Sequence, residues 1–209
     1  MREEEKALSG KLFAPGDPDL RALKLKAHNL NTAYNAAYED ETEKRAAILG
    51  QLLPDLGPGG FLQGPIFFHY GVHTHIGKNL FANFNFTVQD DAEVFIGDSC
   101  NFGPNVTIVT PLHPLLPDER RALSTSQGEK RLCWAKPVRI GNDCWFGAGV
   151  TVCPGVTIGD GCVIGAGSVV TKDIPAHSLA VGVPCRVLRP ITEADSMENF
   201  PELWGEYRL

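Results

Sequence analysis

The sequence predicts an all-β solenoid, a parallel β-helix of short strands, and a repeat of six residues is the main reason. An aliphatic or aromatic residue returns every sixth position from 140 to 170, and a second series of small or apolar residues follows four positions behind. A period of six fits neither an α-helix nor an alternating strand, but it fits coils whose strands each supply two inward side chains. The two series are Ile140, Phe146, Val152, Ile158, Ile164 and Val170, and Cys144, Val150, Val156, Cys162, Ser168 and Ile174.

Two further observations support this fold class. Glycine directly follows the first series at Gly141, Gly147, Gly159 and Gly165, where a tight turn needs a small residue. Residues 140–157 also match residues 158–175 almost letter for letter, and three hexapeptides close one triangular coil of about 18 residues. The strictest coils are therefore expected between about 140 and 175.

Residues 1–57 differ from the repeat and predict an N-terminal α-helical cap. Leucine and isoleucine recur there at helical spacing, among residues that favour helices. Asp40 followed by Glu43 predicts a capping box that opens a second helix, and Pro54 with residues 57–60 ends it. Two helices at one end of the solenoid would cover apolar coil surface and protect an open strand edge.

Residues 58–189 predict the β-helix itself, interrupted by one long loop. The pattern begins loosely near residue 61 and stops between Ile108 and Ile140, where prolines and a polar stretch cannot continue a coil. A long inserted loop, at about 109–138, usually carries function when the rest of a solenoid is regular. Residues 190–209 predict a C-terminal tail.

Composition and charge argue against several kinds of partner. The chain has 209 residues, of which 43% are hydrophobic, and a formal net charge of −6. An acidic surface disfavours binding to nucleic acid and to anionic membranes. No apolar run approaches the ~18 residues of a membrane span. The N-terminal MREEEK lacks the features of a signal peptide. Six cysteines without a C-x-x-C pair are typical of reduced core thiols. We therefore expect a cytoplasmic protein that binds neither nucleic acid nor membrane.

Several motifs longer than the repeat resemble the hexapeptide-repeat O-acetyltransferases, in particular the galactoside and maltose acetyltransferase family. They are SGKLF (9–13), HIGKNLFANFNFTVQDDAEVFIGD (75–98), NVTIVTPLHP (105–114), AKPVRIGNDCWFG (135–147) and GAGSVVTKDIPAHSLAVGVPCRVLR (165–189). The resemblance implies a left-handed β-helix and a homotrimer with active sites between subunits. It also implies acetyl-CoA as co-substrate, no metal, and transfer of the acetyl group to a sugar hydroxyl, above all the 6-hydroxyl of maltose, glucose or a galactoside.

His113, at the start of the inserted loop, is the catalytic base that the resemblance implies. Acetyl transfer to an alcohol needs a group that takes the hydroxyl proton, and the unperturbed pKa of histidine, about 6.5, lies near working pH. The sequence contains no G-x-S-x-G elbow that would indicate an acyl-serine intermediate. We therefore predict direct attack of the acceptor hydroxyl on the thioester, with backbone N–H groups near Ala148 holding the developing negative charge.

The resemblance also assigns residues that bind the acceptor. They are Asn83, Asp91, His69, Asp17 and Trp145. Asn83 could instead belong to an asparagine ladder, and Trp145 could pack between subunits.

Three positions depart from the family on the acceptor side. His69 stands where a small polar or acidic residue is usual, and Pro15 replaces an aspartate that Asp17 or Asp19 could supply. Cys133 lies near a position where methionine or glutamate is common. These departures indicate that the acceptor contacts differ from those of the galactoside and maltose enzymes.

The same resemblance assigns the coenzyme A site to the C-terminal coils. Positions that line the pantetheine groove are matched by Ala148, Ala166, Thr171 and Lys172, and positions near the nucleotide phosphates by Arg186 and Arg189. Guanidinium groups bind phosphates through paired hydrogen bonds. Ordinary surface charge is the alternative explanation of these cations.

Three alternatives remain open at this point. The acceptor could be a non-sugar alcohol such as serine or a xenobiotic, although SGKLF argues against the serine enzymes. The chain could be a non-catalytic scaffold, which would need neither His113 nor Asn83. His69, His73 and His75 could form a zinc site, but this requires three imidazoles that converge from different coils.

Overall fold

Three α-helices precede the coils in the computed structural model, which describes residues 1–126 and 128–207. They are α1 (Glu3–Leu8), α2 (Pro18–Ala36) and α3 (Thr42–Leu52), and a short α4 (Pro117–Arg120) lies in the inserted loop. The Asp17 carboxylate caps α2 by accepting a hydrogen bond from the Asp19 N–H. Gln127 of the predicted loop and residues 208–209 of the predicted tail lie outside the described residues.

The helical cap differs from the sequence prediction in two places. The apolar pattern does not predict α1, which is mostly charged and is held by the Glu3 carboxylate, an acceptor for the Ala14 N–H at 2.7 Å. The predicted capping box at Asp40 is wrong. The residue before α3 is Glu41, and its carboxylate accepts a hydrogen bond from the Tyr38 N–H instead of capping the helix.

The rest of the regular structure is a succession of short strands. Before the loop they are β1 (Phe61–Leu62), β2 (Ile66–Phe68), β3 (Thr74–Ile76), β4 (Phe81–Ala82), β5 (Phe86–Gln89), β6 (Val94–Ile96), β7 (Asn101–Phe102) and β8 (Thr107–Val109). Within the loop they are β9 (Pro111–Leu112), β10 (Leu123–Thr125), β11 (Gly128–Lys130) and β12 (Trp134–Ala135). After it they are β13 (Val138–Ile140), β14 (Trp145–Phe146), β15 (Thr151–Val152), β16 (Thr157–Ile158), β17 (Val163–Ile164), β18 (Val169–Val170), β19 (Ser178–Gly182) and β20 (Cys185–Pro190).

The strands outside the inserted loop form the three faces of a parallel β-solenoid of about 6 turns, as the sequence predicts. Face one contains β1, β4, β7, β14, β17 and β19, with β20 added antiparallel at its end. Face two contains β2, β5, β8, β15 and β18, and face three contains β3, β6, β13 and β16. On face three, four isoleucines are in register: Ile76, Ile96, Ile140 and Ile158. The coil from Ile76 to Ile96 therefore advances by 20 residues, and the coil from Ile140 to Ile158 advances by 18.

Inward side chains fill the solenoid in the predicted pattern. Every member of the two six-residue series is at most 4% exposed. The rings of Phe86, Phe102 and Phe146 form a column with centroids 4.8 and 4.6 Å apart. At Gly147 a Cβ would lie 2.6 Å from the backbone nitrogen of Ala166, so the close stacking of coils requires glycine there.

Helix α2 closes the open edge of face two by imitating a strand. Asn31 accepts a hydrogen bond from the Phe68 N–H at 2.9 Å and donates one to the Phe68 carbonyl at 2.7 Å. Asn35, one turn later, makes the same pair with Ile66, at 2.8 Å each. Because an unpaired strand edge invites association with other chains, these two amides give the cap its predicted protective role.

The inserted loop contains regular structure that its composition does not predict. Strand β9 pairs antiparallel with β12, and β10 pairs with β11. Cys133 exchanges two backbone hydrogen bonds with Phe13, at 2.9 and 3.1 Å. A second apolar cluster surrounds this bridge and consists of Ala7, Phe13, Leu20, Tyr70, Ala92, Cys133 and Ala135. The end of the loop is therefore anchored to the N-terminal segment.

After β20 the chain forms three 3-10 helices, Glu193–Asp195, Met197–Asn199 and Pro201–Leu203. The Trp204 indole donates a hydrogen bond to the Met197 carbonyl at 2.9 Å and folds this segment back on itself. All six cysteines are free thiols. Among the described residues no helix has both the length and the apolar character needed to traverse a bilayer.

Candidate active site

The predicted site residues lie mainly along two corners of the solenoid. The Asn83 corner joins face one to face two and comprises residues 83–85, 103–106, 147–150 and 165–168. The Asp91 corner joins face two to face three, comprises residues 69–73, 90–93, 153–156 and 171–173, and lies where the inserted loop leaves the coils. The four-residue strand β5 that separates them spans about 13 Å. One chain therefore does not bring the two sets of residues together.

Asn83 is half-buried at its corner and keeps a donor unused. Its Oδ1 accepts a hydrogen bond from the Phe84 N–H at 2.8 Å, and its Nδ2 donates none within the described residues. The asparagine ladder considered above belongs instead to Asn85 and Asn105, whose side chains bond at 2.9 Å. Asn83 can therefore donate to a ligand without breaking a contact of its own.

Ala148 and Ala166 occupy equivalent places in successive coils of the Asn83 corner. The Ala148 carbonyl accepts a hydrogen bond from the Gly167 N–H at 2.8 Å. The N–H groups of Ala148 and Ala166 donate to no acceptor in the part of the chain that the structure describes, and both residues are exposed. Backbone donors arranged in this way can hold a carbonyl oxygen on which negative charge develops.

Trp145 projects outward from face one beside the Asn83 corner. It is 57% exposed and in register with Asn101 and Val163 of the adjoining strands. An indole that is exposed on a single chain is available to a ligand or to a neighbouring subunit. Binding of the acceptor and packing between subunits therefore both stay predictions for Trp145.

Two buried carboxylates with different surroundings occupy the Asp91 corner. Asp90 accepts hydrogen bonds from the Tyr70 N–H at 2.7 Å and from the Thr74 hydroxyl at 3.0 Å. Asp91 is only 3% exposed, and its Oδ2 has no hydrogen-bond partner among the described residues. Burial, together with the charge of Asp90, raises the pKa of Asp91 to about 6. A buried carboxylate oxygen without a partner is rare in folded proteins, which makes Asp91 a candidate binding residue.

Asp91→Asn is expected to stabilise the protein at alkaline pH. The pKa of Asp91 is raised in the folded chain, so the stability that protonation supplies is complete below about pH 4 and declines as the pH rises through about 6. Asparagine removes this dependence. The variant should therefore exceed the wild type by about 1–3 kcal/mol at pH 8 and by little at pH 4. Urea unfolding at the two pH values measures this, and a difference independent of pH would contradict it.

His69 lies half-buried in a row of rings on the Asp91 corner. Its ring centroid is 4.5 Å from that of Tyr70 and 5.5 Å from that of His28 in α2. Burial, and then the positive charges of His28 and Lys24, lower the pKa of His69 to about 4. His69 is therefore a neutral imidazole at working pH, which offers one donor and one acceptor but no charge.

His113 is exposed just after β9, where the inserted loop departs from the Asp91 corner. Within the described ranges its imidazole makes no hydrogen bond. The turn that follows is held by the Arg120 guanidinium, which donates to the carbonyls of Pro114 and Leu115 at 3.1 Å each. An accessible imidazole beside a fixed turn can serve as a base for a ligand that approaches from outside this chain.

Asp17 lines a cleft of about 610 Å³ between the start of α2 and the hairpin of β10 and β11. The other charged residues that line it are Arg21, Lys24, Glu129, Lys130 and Arg131. Motif comparison does not reveal these residues. Part of this charged lining could have been predicted from the sequence, because the spacing of Arg21, Lys24 and His28 places three basic side chains on one face of a helix.

The predicted coenzyme A residues of the last coils also lie in different parts of the chain. Thr171 and Lys172 are exposed at the Asp91 corner, whereas Arg186 is exposed on β20 at the end of face one. Arg189 is already engaged, because its guanidinium donates two hydrogen bonds to Asp195, at 2.6 and 2.7 Å. This contact lowers the pKa of Asp195 to about 2. A phosphate at Arg189 would compete with that carboxylate.

The three histidines considered for a zinc site have different partners. His73 Nδ1 lies 2.9 Å from the Asp90 carbonyl oxygen, and His75 Nδ1 lies 2.6 Å from the Asp55 carboxylate. His69 packs among rings instead. Over residues 1–126 and 128–207, no group of three or more His, Cys, Asp or Glu side chains is placed to hold a metal ion.

Comparisons with known proteins place the chain in a family. Residues 137–172 match the bacterial transferase hexapeptide (six repeats), and residues 6–57 match the maltose acetyltransferase hexapeptide capping motif. The chain is 40% identical to the galactoside O-acetyltransferase of Escherichia coli (strain K12), over 97% of this chain and 96% of that protein. The chain belongs to the galactoside and maltose O-acetyltransferase family.

Solved structures of galactoside and maltose acetyltransferases share its fold. A maltose O-acetyltransferase from Clostridium difficile 630 has a TM-score of 0.84 and 42% identity, and the match covers 92% of this chain and 99% of that one. A galactoside acetyltransferase in complex with coenzyme A has a TM-score of 0.85 and 40% identity, covering 93% and 94%. The family and the fold inferred from the motifs are confirmed, while the roles of individual site residues stay predictions.

Proposed function

We propose that this acetyl-CoA-dependent O-acetyltransferase transfers the acetyl group directly to a hydroxyl of a sugar, above all the 6-hydroxyl. The family supports acetyl transfer from acetyl-CoA to oxygen. One observation carries the finer proposal. The His113 imidazole is exposed and the Ala148 N–H donates to no acceptor among the described residues, so a base and an oxyanion donor are both available in a chain that is 40% identical to a galactoside O-acetyltransferase.

His113 acts as the base and then as the acid in this proposal. It takes the proton of the sugar hydroxyl while the hydroxyl oxygen forms a bond to the acetyl carbonyl carbon. The Ala148 N–H donates a hydrogen bond to the carbonyl oxygen as negative charge develops there. When the carbon–sulfur bond breaks, His113 returns the proton to the departing sulfur, which leaves coenzyme A, the acetylated sugar and an unchanged enzyme.

The remaining residues bind and orient the two substrates. Among the described residues, the Asn83 amide has a donor without an acceptor and the Asp91 Oδ2 has no hydrogen-bond partner, and both groups complement sugar hydroxyls, which donate and accept hydrogen bonds. Ala166 is exposed at the Asn83 corner and Thr171 and Lys172 are exposed at the Asp91 corner, so a pantetheine chain could contact all three only between two subunits. No metal enters this mechanism.

We propose that the active sites form between subunits of a homotrimer, with the Asn83 corner of one chain against the Asp91 corner of the next. This arrangement would unite residues that β5 keeps about 13 Å apart in one chain. Face one supplies apolar surface for such contact, since Phe61 and Phe81 stack there at 5.9 Å and Trp145 is exposed. A cytoplasmic location, without membrane or nucleic-acid partners, is part of the same proposal.

Replacing Arg186 and Arg189 together by glutamine is expected to raise the KM for acetyl-CoA about tenfold or more. Each guanidinium would otherwise contribute charge-assisted hydrogen bonds to the phosphates. The KM for the sugar should stay within about twofold, as steady-state kinetics can measure. Asp195→Asn is the companion variant and should lower the KM for acetyl-CoA, because it frees Arg189 from a competing carboxylate. An equal rise in both KM values for the double variant would refute the assignment.

The deciding experiment is thiol release from acetyl-CoA with a panel of acceptors. Galactosides, glucosides and maltose represent the sugars, and serine and chloramphenicol represent the other alcohols. Release that depends on a sugar, with the product acetylated at the 6-hydroxyl by NMR, supports the proposal. Release with serine or chloramphenicol alone would replace the sugar by another alcohol, and absence of both release and coenzyme A binding would indicate a scaffold.

A further inference from the structure

We infer that the acceptor of this enzyme carries an anionic group, a phosphate or a carboxylate, which binds in the basic cleft between α2 and the hairpin of β10 and β11. The basic cleft is the cavity of about 610 Å³ that Arg21, Lys24, Lys130 and Arg131 line together with Asp17. The inference rests on the proposed acetyl transfer to sugars and adds the chemical class of the sugar.

Cations gather in the basic cleft although the chain as a whole is acidic. The protein has 19 Lys and Arg against 25 Asp and Glu, yet four of the six charged residues that line the cleft are positive. In the part of the chain that the structure describes, Arg21, Lys24 and Arg131 form no ion pair. One of the two lining carboxylates, Asp17, is engaged by the Asp19 N–H. Positive side chains that converge from two elements create a potential that favours an anion.

The basic cleft leads toward the predicted acceptor residues. A second cavity of about 500 Å³ continues along α2, shares Arg21 and Lys24 with the first, and reaches His28. The His28 ring lies 5.5 Å from that of His69, on the corner that carries Asp91. The Nε2 of His28 is itself buried without a hydrogen-bond partner among the described residues. Because Asp17, a predicted acceptor residue, lines the basic cleft itself, we assign an anion bound there to the acceptor.

The chemistry of the lining selects a charged sugar over a neutral one. A neutral glycoside offers Arg21 and Arg131 only uncharged hydroxyl oxygens, and hydrogen bonds to an ionised acceptor are stronger than hydrogen bonds to a neutral one. A phosphate or carboxylate accepts paired hydrogen bonds from guanidinium groups and neutralises their charge. The neutral His69, whose ring lies 5.5 Å from that of His28, adds a hydrogen-bonding group to the Asp91 corner without adding charge.

The test compares acceptors that differ in one charged group. A hexose 1-phosphate and the methyl glycoside of the same hexose both keep a free 6-hydroxyl, and a sugar acid with a free primary hydroxyl distinguishes carboxylate from phosphate. The wild type should use the better anionic acceptor with a kcat/KM at least about tenfold above that of the methyl glycoside at low ionic strength. This advantage should shrink as salt screens the interaction.

Variants of the basic cleft locate the effect. Arg21→Gln and Arg131→Gln should each raise the KM for the anionic acceptor about five- to tenfold. The KM values for the methyl glycoside and for acetyl-CoA should stay within about twofold. Lys26→Gln is the matched control, because it makes the same charge change on α2 outside the basic cleft, and it should alter none of the three.

Each contrary result has a distinct meaning. A methyl glycoside used as well as its phosphorylated counterpart would overturn the inference and leave acetyl transfer to sugars intact. A rise in the KM for acetyl-CoA in Arg21→Gln, equal to that for the anionic acceptor, would assign the cleft to the coenzyme and also overturn it. No transfer to any sugar would overturn both the inference and the proposed function.

Discussion

Replacing His113 by alanine is expected to lower kcat by at least about a hundredfold, because the acceptor hydroxyl would have no side chain to take its proton. The exposed imidazole makes no hydrogen bond within the described residues, so its removal should leave the fold intact. Thiol release from acetyl-CoA at saturating acceptor measures the loss. Circular dichroism and the Tm of the variant establish that the loss is catalytic.

Leu115→Ala is the matched control for this experiment. Leu115 is 90% exposed and lies two residues further along the same loop, so its truncation changes the loop surface without removing an imidazole. It should retain most of the activity. Partial rescue of His113→Ala by added imidazole would identify the missing group as a base, whereas turnover near that of the wild type would remove His113 from the mechanism.

Phe102→Ala is expected to reduce the free energy of unfolding by about 3–5 kcal/mol. Phe102 is fully buried, and its ring lies 4.8 Å from that of Phe86 and 4.6 Å from that of Phe146. Alanine would leave a cavity in the middle of this column, and the backbone ladders on all three faces limit how far the neighbouring coils can collapse. Urea unfolding at a fixed protein concentration measures the change, since subunit association would make the midpoint depend on concentration.

An aromatic residue at the surface provides the comparison for Phe102. Tyr38 is 77% exposed, so Tyr38→Ala should change the free energy of unfolding by no more than about 0.5 kcal/mol. Phe102→Leu should lie between the two because it retains most of the buried volume. A loss below about 1 kcal/mol for Phe102→Ala would mean that the coils relax around the cavity.

The coils were predictable because every coil of a solenoid buries side chains at equivalent positions. Each inward position meets the same surroundings in the next coil, so burial leaves a strict period that a single sequence displays at Ile140, Phe146 and Val152. Helix α1 and the strands of the inserted loop leave no such period. They depend on contacts far away in sequence, such as the bridge between Phe13 and Cys133, and no local pattern records them.

The candidate site was predictable in its residue types but not in its arrangement. The motifs identified His113, Asn83 and Asp91 by resemblance. Within the described part of the chain, Asn83 has an unused donor and Asp91 an unpaired oxygen, which agrees with binding roles that stay predictions. The pairing of Arg189 with Asp195 required three-dimensional contacts. The same is true of the basic cleft, whose cations come from segments about a hundred residues apart.

The sequence by itself determined the parallel β-helix and the acetyltransferase family, because periodic burial and long motifs are local properties of a chain. Only the tertiary structure decided how α2 seals the edge of face two, that Gly147 is required by coil stacking, and that the site residues occupy two corners. These properties depend on distances between residues remote in sequence, which the winding of the coils fixes. The tertiary structure also buries Asp91 with a carboxylate oxygen that has no hydrogen-bond partner among the described residues, and it gathers four cations around the basic cleft of an acidic protein.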